Sequence, residues 1–157
     1  MGGFSRGTKG PLLIAYADTS FLASLYGTDA NSPAAAHQIE TLRPTFLITP
    51  FGELELITAF EARAFRKLLS TAEVDAAMKV FRGDLAMGVL SRIPVPQNAF
   101  ARAIVLSKLY TRTLGSRTLD ILQVAIALEL DVEMFFTFDK DQAKFARRAG
   151  LAVRPGR

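Results

Sequence analysis

The sequence has no cysteine. That absence removes thiol nucleophiles, thiolate zinc sites and iron–sulfur clusters, and it fits a reducing, cytoplasmic setting. There is one histidine, His37, on a stretch that reads as a polar surface helix, so a Ser-His-Asp relay has little to draw on. The longest apolar runs are six to eight residues, well short of the roughly 18 that a spanning helix needs, so no membrane role is expected. Neither a Gly-x-Gly-x-x-Gly fingerprint nor a phosphate-cradling Gly-Lys-Ser/Thr occurs, which disfavours nucleotide cofactors. The 11 glycines follow no period, which excludes a collagen-like chain.

Half of the 157 residues are apolar, enough for a sizeable core. The length suits one domain, assigned to residues 11–157. Residues 1–10 carry four glycines and no apolar core of a signal peptide, and read as a flexible leader or an expression remnant. The net charge of +4 comes from the ends: setting aside Arg6, Lys9, Arg154 and Arg157 leaves 15 basic residues against the 15 acidic ones. A broadly basic nucleic-acid surface therefore does not follow from net charge. Locally, Ala101 to Leu119 holds Arg102, Lys108, Arg112 and Arg117 and no acid.

The order of elements is that of an α/β protein. Leu12–Ala17 is an apolar run too short for a helix and suited to a strand buried on both faces. Thr45–Thr49 and Met134–Phe138 are two more strands, Val89–Val95 an edge strand limited by Pro94, and Leu151–Val153 a short last one. Helices are expected over Thr19–Tyr26, from Ser32 as N-cap to Leu42, from Pro50 to about Leu69, and from the Ser70/Glu73 capping box to about Met87. Further helices should run from an Asn98 cap to about Thr113, from Thr118 to Leu130, and over Lys140–Ala149 with Gly150 as its stop. The Thr118–Leu130 segment is apolar nearly all round and reads as buried. Strands separated by helices imply a mostly parallel sheet covered on both faces.

In such sheets, functional groups gather beyond the carboxyl ends of the strands. Asp18 follows the first strand and Asp139 the Met134–Phe138 strand; Glu55 lies on the helix after the second strand, and Asp120 opens the buried helix. Up to four carboxylates should therefore meet, and such a group needs a cation or protons. All-oxygen ligands select Mg²⁺ or Mn²⁺, which makes phosphodiester hydrolysis the leading chemistry. Each acid also has a plainer role. Asp18 and Asp139 suit N-caps, Asp120 suits the positive end of a helix, and Glu55 could be exposed. Glu55 shares its helix face with Phe51, Thr58, Ala59 and Ala62, where a lone carboxylate would be costly. The remaining phenylalanines are core candidates more than base-stacking ones.

Ala17-Asp18-Thr19-Ser20, Glu53-Leu54-Glu55-Leu56, Arg117-Thr118-Leu119-Asp120-Ile121-Leu122-Gln123-Val124-Ala125 and Thr137-Phe138-Asp139, in that order, resemble the PIN-domain ribonucleases, and among them the VapC-type toxins of toxin–antitoxin pairs. The resemblance spans about residues 13–155. It implies an α/β/α sandwich whose acidic pocket binds Mg²⁺ or Mn²⁺ and cleaves RNA. Asp18 and Asp120 would be the principal metal ligands, with Glu55 and Asp139 completing the site and Glu55 orienting the attacking water. Thr19, Ser20 and Thr137 would supply supporting hydroxyls and Arg117 a phosphate contact. The implied partners are an RNA substrate, a cognate antitoxin and a second copy of the chain. Asp141 competes with Asp139 for the fourth position, and Asp139 is preferred because it ends the strand. Gln123 stands where many relatives carry histidine. Two other functions compete. A haloacid-dehalogenase-like phosphatase requires Asp-x-Asp, whereas this chain has Asp18-Thr19-Ser20. A catalytically silent PIN-like module that binds RNA or protein would have no need of four acids.

Overall fold

The computed structural model describes residues 12–156. The leader assigned to residues 1–10 lies outside the described residues. Five strands, β1 (Ile14–Ala17), β2 (Thr45–Ile48), β3 (Leu90–Arg92), β4 (Met134–Phe136) and β5 (Val153–Arg154), form one sheet in the order β3-β2-β1-β4-β5, every neighbouring pair parallel. Parallel neighbours cannot be joined by a tight turn, so helices make the crossovers. α1 (Thr19–Tyr26) and α2 (Ser32–Leu42) link β1 to β2, and α3 (Pro50–Phe65) and α4 (Thr71–Met87) link β2 to β3. α5 (Ala99–Leu114) and α6 (Thr118–Glu129) lead to β4, and α7 (Lys140–Arg148) to β5.

The two-residue period of the strands sorts the core into two layers. Ala15, Ala17 and Phe136 face α1–α4, where Phe136 packs edge-on against Phe21 at 5.1 Å and Phe46 at 5.2 Å between ring centres. Tyr16 and Phe135 point the other way, stack at 5.9 Å, and meet α6 and α7 through Val124, Ile126 and Phe145. The architecture is thus an α/β/α sandwich with an all-parallel sheet, the family-type fold expected. Phe21, Phe46, Phe135 and Phe136 are each fully buried, and each contributes about 1.5–3 kcal/mol of transfer free energy.

The elements differ from expectation mainly at their ends, each for a local reason. α3 stops at Phe65, short of Leu69, because the Lys67 and Leu68 N–H groups fold back onto Ala64 and Arg63, with Lys67 left-handed at φ 57°. α2 has Asn31, not Ser32, at its cap position, because the Ser32 hydroxyl instead donates to the Ser24 carbonyl at 2.6 Å. Asn98 stands at the α5 cap position but makes no side-chain cap bond. β5 begins at Val153, since the Leu151 N–H closes the end of α7 on the Ala146 carbonyl. The Ser70/Glu73 capping box forms as expected, and β3 is an edge strand, with Pro94 just beyond it.

Candidate functional site

The carboxyl ends of β1 and β4 lie side by side in the middle of the sheet, and the helix starts that follow them bring acids to one place. Asp18, Glu55, Asp120 and Asp139 all line one cavity of about 560 Å³, with Thr19, Ser20, Arg117 and Gln123 around them.

Asp18 lies at the bottom. It is the N-cap of α1, accepting from the Phe21 N–H at 3.1 Å, and it also accepts from the Ser20 hydroxyl at 2.6 Å and the Thr137 hydroxyl at 2.5 Å. It is only 5% exposed. Burial raises its carboxyl from 3.8 to about 6; the three donors hold it down in part, and the neighbouring Asp139 charge adds to the rise. Among the described residues no cation pairs with it. Ser20 stitches the two strand ends together, sharing a hydrogen bond with Thr137 at 3.1 Å and accepting from the Phe138 N–H at 3.0 Å.

Asp139 is the N-cap of α7, accepting from the Asp141 and Gln142 N–H groups at 2.8 and 2.9 Å, and its own N–H donates to Thr137 at 3.0 Å. Asp141 is exposed on α7 and lines a different concavity. Asp120 occupies the first turn of α6, at the positive end of that helix, and pairs with Arg117 at 3.2 Å. The cap and dipole roles are therefore present, and all three acids still face the cavity.

Glu55 is held by a chain of hydrogen bonds from beneath. Thr19 donates to it at 3.0 Å, Gln123 donates its side-chain N–H to the same oxygen, and the Tyr16 hydroxyl donates to the Gln123 carbonyl oxygen. Tyr16 and Gln123 are 1% and 2% exposed, and burial drives the Tyr16 phenol far above its ordinary value. Sequence reasoning did not assign Tyr16 a role. The available signals were a hydroxyl inside an otherwise apolar strand and a glutamine inside an all-round apolar helix, since buried polar groups need partners. His37 is exposed and away from the cavity. Of the basic run Ala101–Leu119, only Arg117 reaches the cavity, while Arg102 pairs with Glu129 at 2.7 Å.

Among the described residues no three acid or histidine side chains stand within joint reach of one metal ion. The reason is visible in the hydrogen bonds: Asp139 is turned to its cap, Asp120 to Arg117, and Glu55 to Gln123 and Thr19. The donor set nevertheless fits a hard divalent cation. All its atoms are carboxylate and hydroxyl oxygens, and among the described residues the buried Asp18 carboxylate has no ion-pair partner. Asp120 and Asp139 can be redirected by side-chain rotation, because neither is fully buried.

Comparison with known proteins accords with this geometry. The PIN-domain family model matches residues 15–148. Among solved structures, VapC20 of Mycobacterium tuberculosis, described as a sarcin–ricin loop cleaving toxin, is 18% identical with a TM-score of 0.65, covering 88% of this chain and 96% of that one. VapBC2 of Rickettsia felis, solved bound to a promoter DNA fragment, is 15% identical with a TM-score of 0.65, covering 90% and 97%. FitAcB of Neisseria gonorrhoeae is 16% identical with a TM-score of 0.60, covering 88% and 95%. A search of curated proteins gives no significant match. The structural likenesses establish the shared fold, and with the family model spanning both strand ends and all four acids, the chain belongs to the PIN-domain family.

Proposed function

We propose that the protein is a metal-dependent endoribonuclease and the toxin of a toxin–antitoxin pair. The observation that carries this is the convergence of Asp18, Glu55, Asp120 and Asp139 on one cavity in a PIN-family chain. The toxin role draws support from the VapC20, VapBC2 and FitAcB neighbours, two of which are named as two-component assemblies. A cognate antitoxin and a second copy of the chain are the expected protein partners.

Asp18 and Asp120 would be the principal ligands of Mg²⁺ or Mn²⁺, with Glu55 and Asp139 completing the set. A divalent ion bound there supplies charge neutralisation for a phosphate oxygen and a more acidic water. The chain's own groups do the rest. Ser20 and Thr137 fix the Asp18 carboxylate, so its direction does not depend on ligand. Gln123 and Thr19 fix Glu55 at the cavity wall, placed to accept a hydrogen bond from the attacking water and orient it. The water oxygen bonds to phosphorus, the sugar oxygen leaves, and the proton shed by the water is balanced by one taken up at the leaving oxygen.

The test is cleavage of a mixed RNA panel with Mg²⁺ or Mn²⁺, with EDTA and DNA as controls, comparing wild type with Asp18→Ala and Asp120→Ala. Cleavage that needs the metal and is lost in both variants supports the proposal. Metal binding without turnover on any RNA favours the silent binding module, and no metal binding refutes the carboxylate site.

A further inference from the structure

Beside the acidic cavity, five cations meet in a second concavity of about 1090 Å³ whose wall, among the described residues, carries one acid, Asp141. Lys140, Lys144, Arg147 and Arg148 come from the outer face of α7, opposite its buried Gln142, Phe145 and Ala146, and Arg154 comes from β5. None of the five belongs to an ion pair among the described residues, which join Arg92 to Glu53, Arg102 to Glu129 and Arg117 to Asp120. Attraction to the helix dipole accounts for Arg147 and Arg148 in the last turn of α7 but opposes Lys140 in its first. Crowding of unneutralised like charges against one wall is the electrostatic footprint of a polyanion site.

The concavity is joined to the acids. A smaller depression between them shares Asp139 with the acidic cavity and Lys140 and Arg147 with the basic one. From Lys140 to Arg148 the helix spans about 12 Å at its rise of 1.5 Å per residue, long enough for successive phosphates on one strand. Arg117, the backbone contact expected from the sequence, is instead committed to Asp120.

We propose that the α7–β5 face is the track that holds the phosphate backbone of the RNA on one side of the scissile bond. The proposal rests on the nuclease reading above, and it adds where the strand lies. The track fits a phosphodiester chain better than an acidic protein segment. Its cations serve the phosphates that are not cleaved, and it leads into carboxylates that only a metal-bridged phosphate could approach. Contacts of this kind position a strand without reading its bases.

The experiment titrates fluorescein-labelled single-stranded polyuridine in EDTA across a salt series. Wild type is compared with Lys144→Glu/Arg147→Glu and with Lys79→Glu/Arg82→Glu, a control on exposed α4 positions at the opposite edge of the sheet. Each phosphate contact to a single strand adds about 0.7 to the salt slope, so loss of two lowers it by about 1.4, with affinity down about tenfold or more at low salt. The control should match wild type, and in Mg²⁺ the α7 pair should raise KM and leave kcat unchanged. Wild-type affinity and slope in the α7 pair overturn the proposal. Competition by polyglutamate equal to that by RNA also overturns it, assigning the face to an acidic protein segment. Normal cleavage kinetics in the α7 pair remove the track and leave the nuclease; absence of metal-dependent cleavage with the binding loss intact removes the nuclease and leaves the track.

Discussion

Replacing Asp18 with asparagine should stabilise the fold while abolishing activity. The carboxyl titrates at 3.8 when exposed and at about 6 when buried beneath Ser20 and Thr137. Below pH 3.8 both states are protonated and the residue costs nothing extra. Between 3.8 and 6 the unfolded chain loses a proton that the folded chain keeps, so stability falls across that window. At about 1.36 kcal/mol per unit the deficit at neutral pH is about 3 kcal/mol. Asparagine is nearly isosteric, its oxygen can accept from Ser20 and Phe21, and its amide can donate to the Thr137 hydroxyl. At roughly 2–4 °C per kcal/mol for a chain of this size, Asp18→Asn should raise Tm by about 6–12 °C in EDTA near neutrality. The gain should vanish below pH 3.8, and Mg²⁺ should stabilise wild type but not the variant. Thermal and urea denaturation across pH, with and without metal, read all of this. A variant no more stable than wild type at neutral pH, or one whose advantage persists in acid, would refute the reasoning.

Asp139→Asn keeps an N-cap on α7 but loses a charge, so folding stability should hold within about 0.5 kcal/mol while metal-dependent cleavage falls; Asp141→Asn should change neither. Activity lost in Asp141→Asn and kept in Asp139→Asn would exchange their assignments. Gln123→Leu leaves the Tyr16 hydroxyl and Glu55 without their buried partner, and should cost about 1–3 kcal/mol by urea denaturation together with a lower kcat. Phe136→Ala empties a space between Phe21 and Phe46 and should cost about 3–5 kcal/mol, seen as a shift of the denaturation midpoint with little change in slope.

The layered fold was legible because its signals are local. β1 and β4 are short apolar runs flanked by polar residues, and Ser70 with Glu73 marks a helix start within four residues. Asp18 and Asp139 were equally legible, since each sits directly where a strand gives way to a helix. The hydrogen-bond chain beneath Glu55 was not, because it joins residues 68 and 107 positions apart. Net charge concealed the basic concavity. Arg154 counted as one of the terminal charges, and Lys140, Lys144, Arg147 and Arg148 alternate with buried residues and with Asp141, so only the helical turn gathers them. The denser run at Ala101–Leu119 looked more promising along the chain, but α5 spreads it over an exposed face, with Lys108 and Arg112 away from the cavity.

β1 and β4 are neighbours in the sheet, yet the Thr137 hydroxyl that fixes Asp18 lies 119 residues further along the chain. During synthesis Asp18 therefore emerges from the ribosome long before its partner does. Until β4 docks against β1, that edge of the sheet stays open, and neither Ser20 nor Asp18 has Thr137 beside it. Asp139 and the α7 cations are delivered by the same late segment. On the proposed reading, strand order alone therefore delays assembly of the acidic site until the segment from Met134 onward has been translated and has docked.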